Sequence, residues 1–256
     1  MKRILIGLLL ASLAIGSAWA QTASKLDEII ARGTLRVGLT GDYRPFSLLD
    51  KTNGQFSGID VDMANALATT LGVKLEIVPT IWRELVSDVN AGKFDVGMGG
   101  ISVNLDRQRL AFFSTPVMRA GKAAIARCSA KAKFGSLAAI DRAGVRVIVN
   151  PGGTNERFDR ANLKAATIVV FPDNTRIFDE LVAGRADVMI TDVVETRLQQ
   201  KLHPELCAIN PDQPFDFGEL AYLLPRDVVW QQYVNQFLRV SNESGAYRKI
   251  VDSYLK

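Results

Sequence analysis

Twice along this chain, short apolar runs of strand length alternate with amphipathic stretches of helix length. The first series predicts strands at 34–39, 74–79 and 94–98, with helices at 59–71 and 82–90 between them. The second predicts strands at 145–150, 166–171 and 186–191, with helices at 155–163 and 174–182. Parallel neighbours need long crossovers, and helical crossovers cover both faces of the sheet, so this order implies an α/β fold with mostly parallel sheets. Because it occurs twice, two such units are expected. A helix at 24–32 is stopped by Gly33, strands at 123–128 and 221–225 stand outside the two series, and 228–255 reads as closing helices broken at Ser244-Gly245. With 48% hydrophobic residues the chain can bury cores of this size.

The first twenty residues have a separate character. Met1-Lys2-Arg3 is followed by an apolar run at 4–15 and by Ala18-Trp19-Ala20, which together form a secretory signal peptide with cleavage after Ala20. No Cys stands at the cut, so no lipid anchor is expected, and no later apolar run approaches membrane-spanning length. Removal of 1–20 lowers Lys+Arg from 31 to 29 against 27 Asp+Glu, so the net charge falls from +4 to +2. No basic block with interleaved aromatics exists, which argues against a nucleic-acid partner. Cys128 and Cys207 are the only cysteines, and in an oxidising compartment they are a candidate disulfide rather than a metal or redox site. His203 is the only histidine, so neither a zinc site nor a Ser-His-Asp triad finds support.

Ligands of open α/β sheets gather at the carboxyl ends of the strands. The buried-type run that ends at Thr191 is followed by Asp192 and Glu195. Their three-residue spacing also fits a capping box, in which each acid satisfies a free amide of the helix, and spacing alone favours that structural role. After the strand at 94–98 come Ser102 and Arg107, where a planar guanidinium suits a carboxylate; the alternative is a surface Arg paired with Asp106. Asn150-Pro151-Gly152-Gly153-Thr154-Asn155-Glu156 lies between a strand and a helix, so its backbone can approach a ligand closely, but it lacks the Lys-Ser/Thr ending of a phosphate-binding P-loop.

Over the whole mature chain, Gly41-Asp42-Tyr43-Arg44-Pro45-Phe46, Gly58-Ile59-Asp60-Val61-Asp62 and Asn104-Leu105-Asp106-Arg107 resemble the periplasmic amino-acid-binding proteins of ABC importers, the family 3 solute-binding proteins. That resemblance implies a two-lobed type II periplasmic binding protein-like fold with the ligand held between the lobes. Lobe 1 would comprise 21–125 plus 224–256 and lobe 2 would comprise 126–223, with hinge crossings at 123–128 and 221–224. Asn150 to Glu156, Arg160-Ala161-Asn162-Leu163-Lys164, Leu202-His203-Pro204-Glu205-Leu206-Cys207 and Gln213-Pro214-Phe215-Asp216-Phe217 look like one branch of that family, the periplasmic cyclohexadienyl dehydratases. Members of this branch are carbon–oxygen lyases that convert prephenate to phenylpyruvate and arogenate to phenylalanine.

By that resemblance Arg107 and Ser102 hold a ligand carboxylate with Thr154 and Asn155 from the facing lobe. Trp82 lines the ring pocket, Tyr43 stands at the cleft mouth, Asp192 is the acid that receives an α-amino group, and Glu195 is the general acid. Leu39, Ile81, Gly99 and Leu220 depart from the residues the family carries there. The resemblance further implies small-molecule substrates, a periplasmic location, and no metal or cofactor, because aromatisation of the ring drives the reaction. A glutamic acid at its ordinary pKa is protonated only about once in 500 molecules at pH 7, so Glu195 must be raised by burial and by the nearby Asp192 charge. The alternative is a non-catalytic amino-acid-binding protein of an importer.

Overall fold

The computed structural model describes residues 23–256. The signal-peptide reading, at 1–20, lies outside the described residues. Two five-stranded sheets organise the chain. The first runs Lys74–Pro79, Thr34–Leu39, Val96–Gly97, Leu223–Leu224 and Phe112–Phe113, and the second Thr167–Val170, Arg146–Val149, Val188–Asp192, Lys122–Arg127 and Leu206–Ile209. The first three strands of each pair in parallel, as the crossover argument requires. The remaining strands pair antiparallel, and among them Lys122–Arg127 lies directly beside Val188–Asp192 with Lys122 opposite Asp192.

Local chemistry sets the helix ends. Ser24 caps the first helix in a reciprocal capping box with Asp27, and Gly33 closes it in the left-handed region at φ 69°. Ile59–Leu71 ends the same way at Gly72. The closing stretch divides into Val228–Glu243 and Ala246–Leu255 about Gly245, at φ 76°. The first of these helices returns to the first sheet, where Trp230, fully buried, donates its indole N–H to the Asp95 carbonyl at 2.9 Å.

Three features differ from the sequence expectation. The crossings expected at 123–128 and 221–224 belong to the sheets themselves; between the sheets lies an antiparallel ribbon of Met118–Ala120 and Gly218–Leu220. The shift has a simple cause, since the apolar run after Lys122 is long enough to pair on both sides and is absorbed into the second sheet. A small three-stranded sheet of Asp42–Tyr43, Ser47–Leu49 and Phe56–Ser57 was hidden among turn residues. Finally, the segment 82–90 becomes helical only at Leu85–Asn90, so Trp82 stands in a turn at the rim of the first sheet. Cys128 and Cys207 are bonded, with their Cα atoms 4.8 Å apart.

Candidate functional site

The strand Val188–Asp192, buried throughout, ends in the space between the two sheets. Asp192 occupies the N-cap position of helix Val193–Leu202, yet its side chain makes no cap bond. Its Oδ1 accepts from Lys122 Nζ at 2.7 Å, and its Oδ2 accepts from the Tyr43 hydroxyl at 2.8 Å. Glu195 does not close a capping box either; its Oε2 accepts from the Thr191 hydroxyl at 2.5 Å. The capping-box reading therefore fails. A buried carboxylate gains more from an ammonium and a phenol than from one helix amide.

Lys122 is the residue that sequence reasoning missed. It is 5% exposed and donates to Asp192, to Asn155 Oδ1 at 2.6 Å and to Thr154 Oγ1 at 3.3 Å. Its only signal was a charge standing directly before an apolar strand. Asn155 continues the network by donating Nδ2 to Thr191 Oγ1 at 3.0 Å.

From the first sheet, Ser102 meets Thr154 at 3.1 Å. The Ser102 segment is held from behind by Asp60, whose fully buried carboxylate accepts the Gly99 and Gly100 amides at 2.7 and 2.8 Å and the Tyr222 hydroxyl at 3.2 Å. Burial pushes Asp60 up to about 6 against the lowering pull of those bonds. Gly100 cannot be replaced without disturbance: at φ 71° a Cβ would lie 2.5 Å from the Phe46 ring and 2.7 Å from the Tyr43 ring. Trp82 stands edge-on to Tyr43 with ring centres 5.6 Å apart, and its indole N–H is held by the Asp42 carboxylate at 3.0 Å.

Tyr43, Trp82, Ser102, Thr154, Asn155 and Asp192 line one small cavity between the halves, together with Asn150 and Asn174. Its volume is about 20 Å³, room for a water or two. The buried Oδ1 atoms of Asn150 and Asn174 have no hydrogen-bond partner. Arg107 and Glu195 stand behind this wall. Arg107 donates Nη1 to the Ser102 carbonyl at 3.0 Å, and its carboxylate neighbour in sequence, Asp106, pairs with Arg157 of the facing half at 2.8 Å, so Arg107 is not a surface partner of Asp106. Burial, then the Arg157 charge, lower Arg107 to about 10, which leaves it cationic at neutrality. Glu195 lies behind Thr191 and also borders a neighbouring groove of about 630 Å³ with Gln199 and His203. On the other flank a hollow of about 310 Å³, bordered by Lys122, shares Ser102, Thr154 and Asp192 with the cavity.

The electrostatics single out one acid. Glu195 is 2% exposed, and burial pushes its carboxyl up to about 8; the charges of Asp192 and Asp42 add to the rise, while the Thr191 bond and Lys122 oppose it. Tyr43 is held well above its ordinary value by burial, then by the charges of Asp192 and Glu195, so its phenol remains a donor. Among the described residues no group of three or more His, Cys, Asp or Glu side chains could hold a metal. None of the departing residues lines the cavity: Leu39 and Leu220 are fully buried in the core, Ile81 is half exposed, and Gly99 packs against Ser47.

The bacterial extracellular solute-binding proteins, family 3, match residues 35–256. The chain belongs to this family. A cyclohexadienyl dehydratase of Pseudomonas aeruginosa is 53% identical over 96% of this chain and 91% of its own. An L-cystine-binding protein of Escherichia coli is 29% identical over 75% of this chain and 71% of its own. Among solved structures, an ancestral amino acid-binding protein described as a precursor of cyclohexadienyl dehydratase has a TM-score of 0.84 at 37% identity, covering 91% of this chain and all of that one. An ancestral cyclohexadienyl dehydratase has a TM-score of 0.58 at 51% identity, covering 91% and 97%. As in other family 3 solute-binding proteins, the α/β fold has two halves, and small-molecule binding and an extracytoplasmic setting go with the family. Among the described residues no helix is long and apolar enough to cross a membrane.

Proposed function

We propose that this chain is a decarboxylating dehydratase that converts prephenate to phenylpyruvate and arogenate to phenylalanine, working in the periplasm after removal of 1–20. The observation that carries the reading is Glu195, a fully buried carboxyl pushed up to about 8 behind a cavity lined from both halves. At pH 7 such a group is protonated about ten times more often than not. The 53% identical dehydratase supports the same activity.

In this reaction the ring carboxylate leaves as CO2, its bonding pair completes the aromatic ring, and the ring hydroxyl leaves as water with a proton. Glu195 supplies that proton. Arg107 and Ser102 orient one substrate carboxylate, Thr154 and Asn155 act from the facing half, and Trp82 and Tyr43 wall the ring. The unpartnered Asn150 and Asn174 oxygens supply acceptors for a substrate hydroxyl or ammonium.

Asp192 bears on the choice between enzyme and amino-acid binder. A binder needs this acid free for an α-ammonium, whereas here Lys122 neutralises it at 2.7 Å and removes a negative charge that would repel the dianionic prephenate. A cavity of about 20 Å³ cannot admit such a substrate, so the halves must part about the ribbon Met118–Ala120 and Gly218–Leu220. The contacts to be broken are mostly polar: Tyr43–Asp192, Ser102–Thr154, Asn174 to the Asp42 carbonyl, Lys201 to the Leu255 carbonyl, and the exposed pairs Lys51–Asp173 and Arg157–Asp106, beside the apolar packing of Val194 against the first half's core. The lower whole-chain score of the more identical ancestral dehydratase supports a variable angle between similar halves.

Incubating the purified protein with prephenate and following phenylpyruvate by its ultraviolet absorbance tests the reading. Turnover by the wild type and its loss in Glu195→Gln are expected. A tight complex with a proteinogenic amino acid and no phenylpyruvate would instead establish a binding protein.

A further inference from the structure

The direction of every hydrogen bond between Lys122 and Glu195 can be worked out. Lys122 Nζ lies 2.6 Å from Asn155 Oδ1, Asn155 Nδ2 lies 3.0 Å from Thr191 Oγ1, and Thr191 Oγ1 lies 2.5 Å from Glu195 Oε2. A lysine ammonium only donates, so the Asn155 atom that faces it is the carbonyl oxygen. The amide NH2 then faces Thr191 and must donate to it. Thr191 has a single hydroxyl proton to give, and its acceptor is Glu195 Oε2. All four residues are at least nine-tenths buried, at 5%, 9%, 0% and 2% exposure in that order, so water does not compete for these bonds.

We propose that Thr191 is the positioning residue of the general acid: as a fixed donor to Oε2 of Glu195 it leaves Oε1 as the oxygen that carries and delivers the proton. This deepens the dehydratase reading and rests on it. During turnover the Oε1–H bond breaks as the proton moves to the leaving hydroxyl. The ring C–O bond breaks with its pair on the departing water, and the pair of the ring C–CO2 bond enters the aromatic ring. Glu195 is left as a carboxylate and regains its proton from solvent. A hydroxyl donor binds a carboxylate more strongly than a neutral acid, so the Thr191 bond tightens as the proton leaves and favours the transition state over the bound substrate. The other groups that act on Glu195 are Asp192 at the start of its helix, Lys122 from the adjacent strand, and Asp42 and Tyr43 from the facing small sheet. None of them takes the place of Thr191, whose oxygen is the one that touches the acid.

The test compares Thr191→Val, which keeps the shape and removes the hydroxyl, with Thr191→Ser, which restores it. Thr191→Val should lower kcat about tenfold or more with KM changed less than about twofold, and Thr191→Ser should return most of the loss. The carboxyl of Glu195, followed by 13C NMR and assigned with Glu195→Gln, should titrate about one to two pH units higher in Thr191→Val, because a bond to the charged form is gone. Wild-type kcat and an unmoved titration in Thr191→Val, or Thr191→Ser as impaired as Thr191→Val, would overturn the proposal. The titration does not depend on turnover. A wild type without activity would therefore end the dehydratase reading, while the Thr191–Glu195 bond would still be judged by the midpoint.

Discussion

Replacing Lys122 by Met tests whether the buried pair with Asp192 organises the site. Both residues are 5% exposed, their charged atoms are 2.7 Å apart, and their strands are hydrogen-bonded with the two residues directly opposite. Removing one member leaves the other as an uncompensated buried charge, which typically costs about 3–5 kcal/mol. Asp192 keeps the Tyr43 hydroxyl, but that bond comes from the other half of the molecule and is lost whenever the cleft opens. The loss should therefore approach the full figure. Urea unfolding at pH 7 of the wild type, Lys122→Met, Asp192→Asn and the double variant gives the coupling directly. Lys122→Met should be destabilised by about 3–5 kcal/mol, and adding Asp192→Asn should recover at least about 2 kcal/mol, since it discards the stranded charge. The alkaline limb of kcat should move in opposite directions: up in Lys122→Met, because Lys122 lowers Glu195, and down in Asp192→Asn, because Asp192 raises it. A loss under about 1 kcal/mol in Lys122→Met, or a double variant no more stable than Lys122→Met, would refute the idea that this pair is buried and coupled.

Two further outcomes concern stability. The Cys128–Cys207 bond links residues 79 apart, so replacing both by Ser should lower unfolding stability by about 4 kcal/mol, and a change below about 1 kcal/mol would mean that the bond constrains the unfolded chain little. Asp159 is fully buried with neither carboxylate oxygen hydrogen-bonded, and burial pushes it up to about 8. Its folded-state pKa is raised, so its burial is harmless below the ordinary value of 3.8 and becomes progressively unfavourable as pH rises towards about 8. Asp159→Asn should consequently be more stable than the wild type at pH 8 and lose that advantage towards pH 4; a pH-independent difference in urea midpoints would contradict this.

Much of the architecture was legible in the residues themselves. The strands Thr34–Leu39 and Lys74–Pro79 and the helix Ile59–Leu71 fall where apolar periodicity and stopping glycines placed them, and Gly245 breaks the closing helices as expected. These are short-range effects: a capping side chain, a left-handed glycine or a period of 2 or 3.6 acts within one or two turns of the chain. The same locality placed Ser102, Thr154, Asn155 and Asp192 at strand ends, where the cavity is.

What only the tertiary structure decided depends on groups distant in sequence. Asp192 and Glu195 have the spacing of a capping box, but Lys122 and Tyr43, 70 and 149 residues away, take up the Asp192 carboxylate. Asp106 and Arg107 are neighbours in sequence, yet Asp106 turns to Arg157 across the cleft and Arg107 is buried against Ser102. Glu195 acquires the chemistry of an acid at neutral pH first from burial, which its own segment does not encode, and then from the charges of Asp192 beside it and of Asp42 on another element. A chain states its periodicities locally; which charges meet, and how dry the place is where they meet, is set by the antiparallel register of Lys122 against Asp192 and by the closure of two sheets over one strand end.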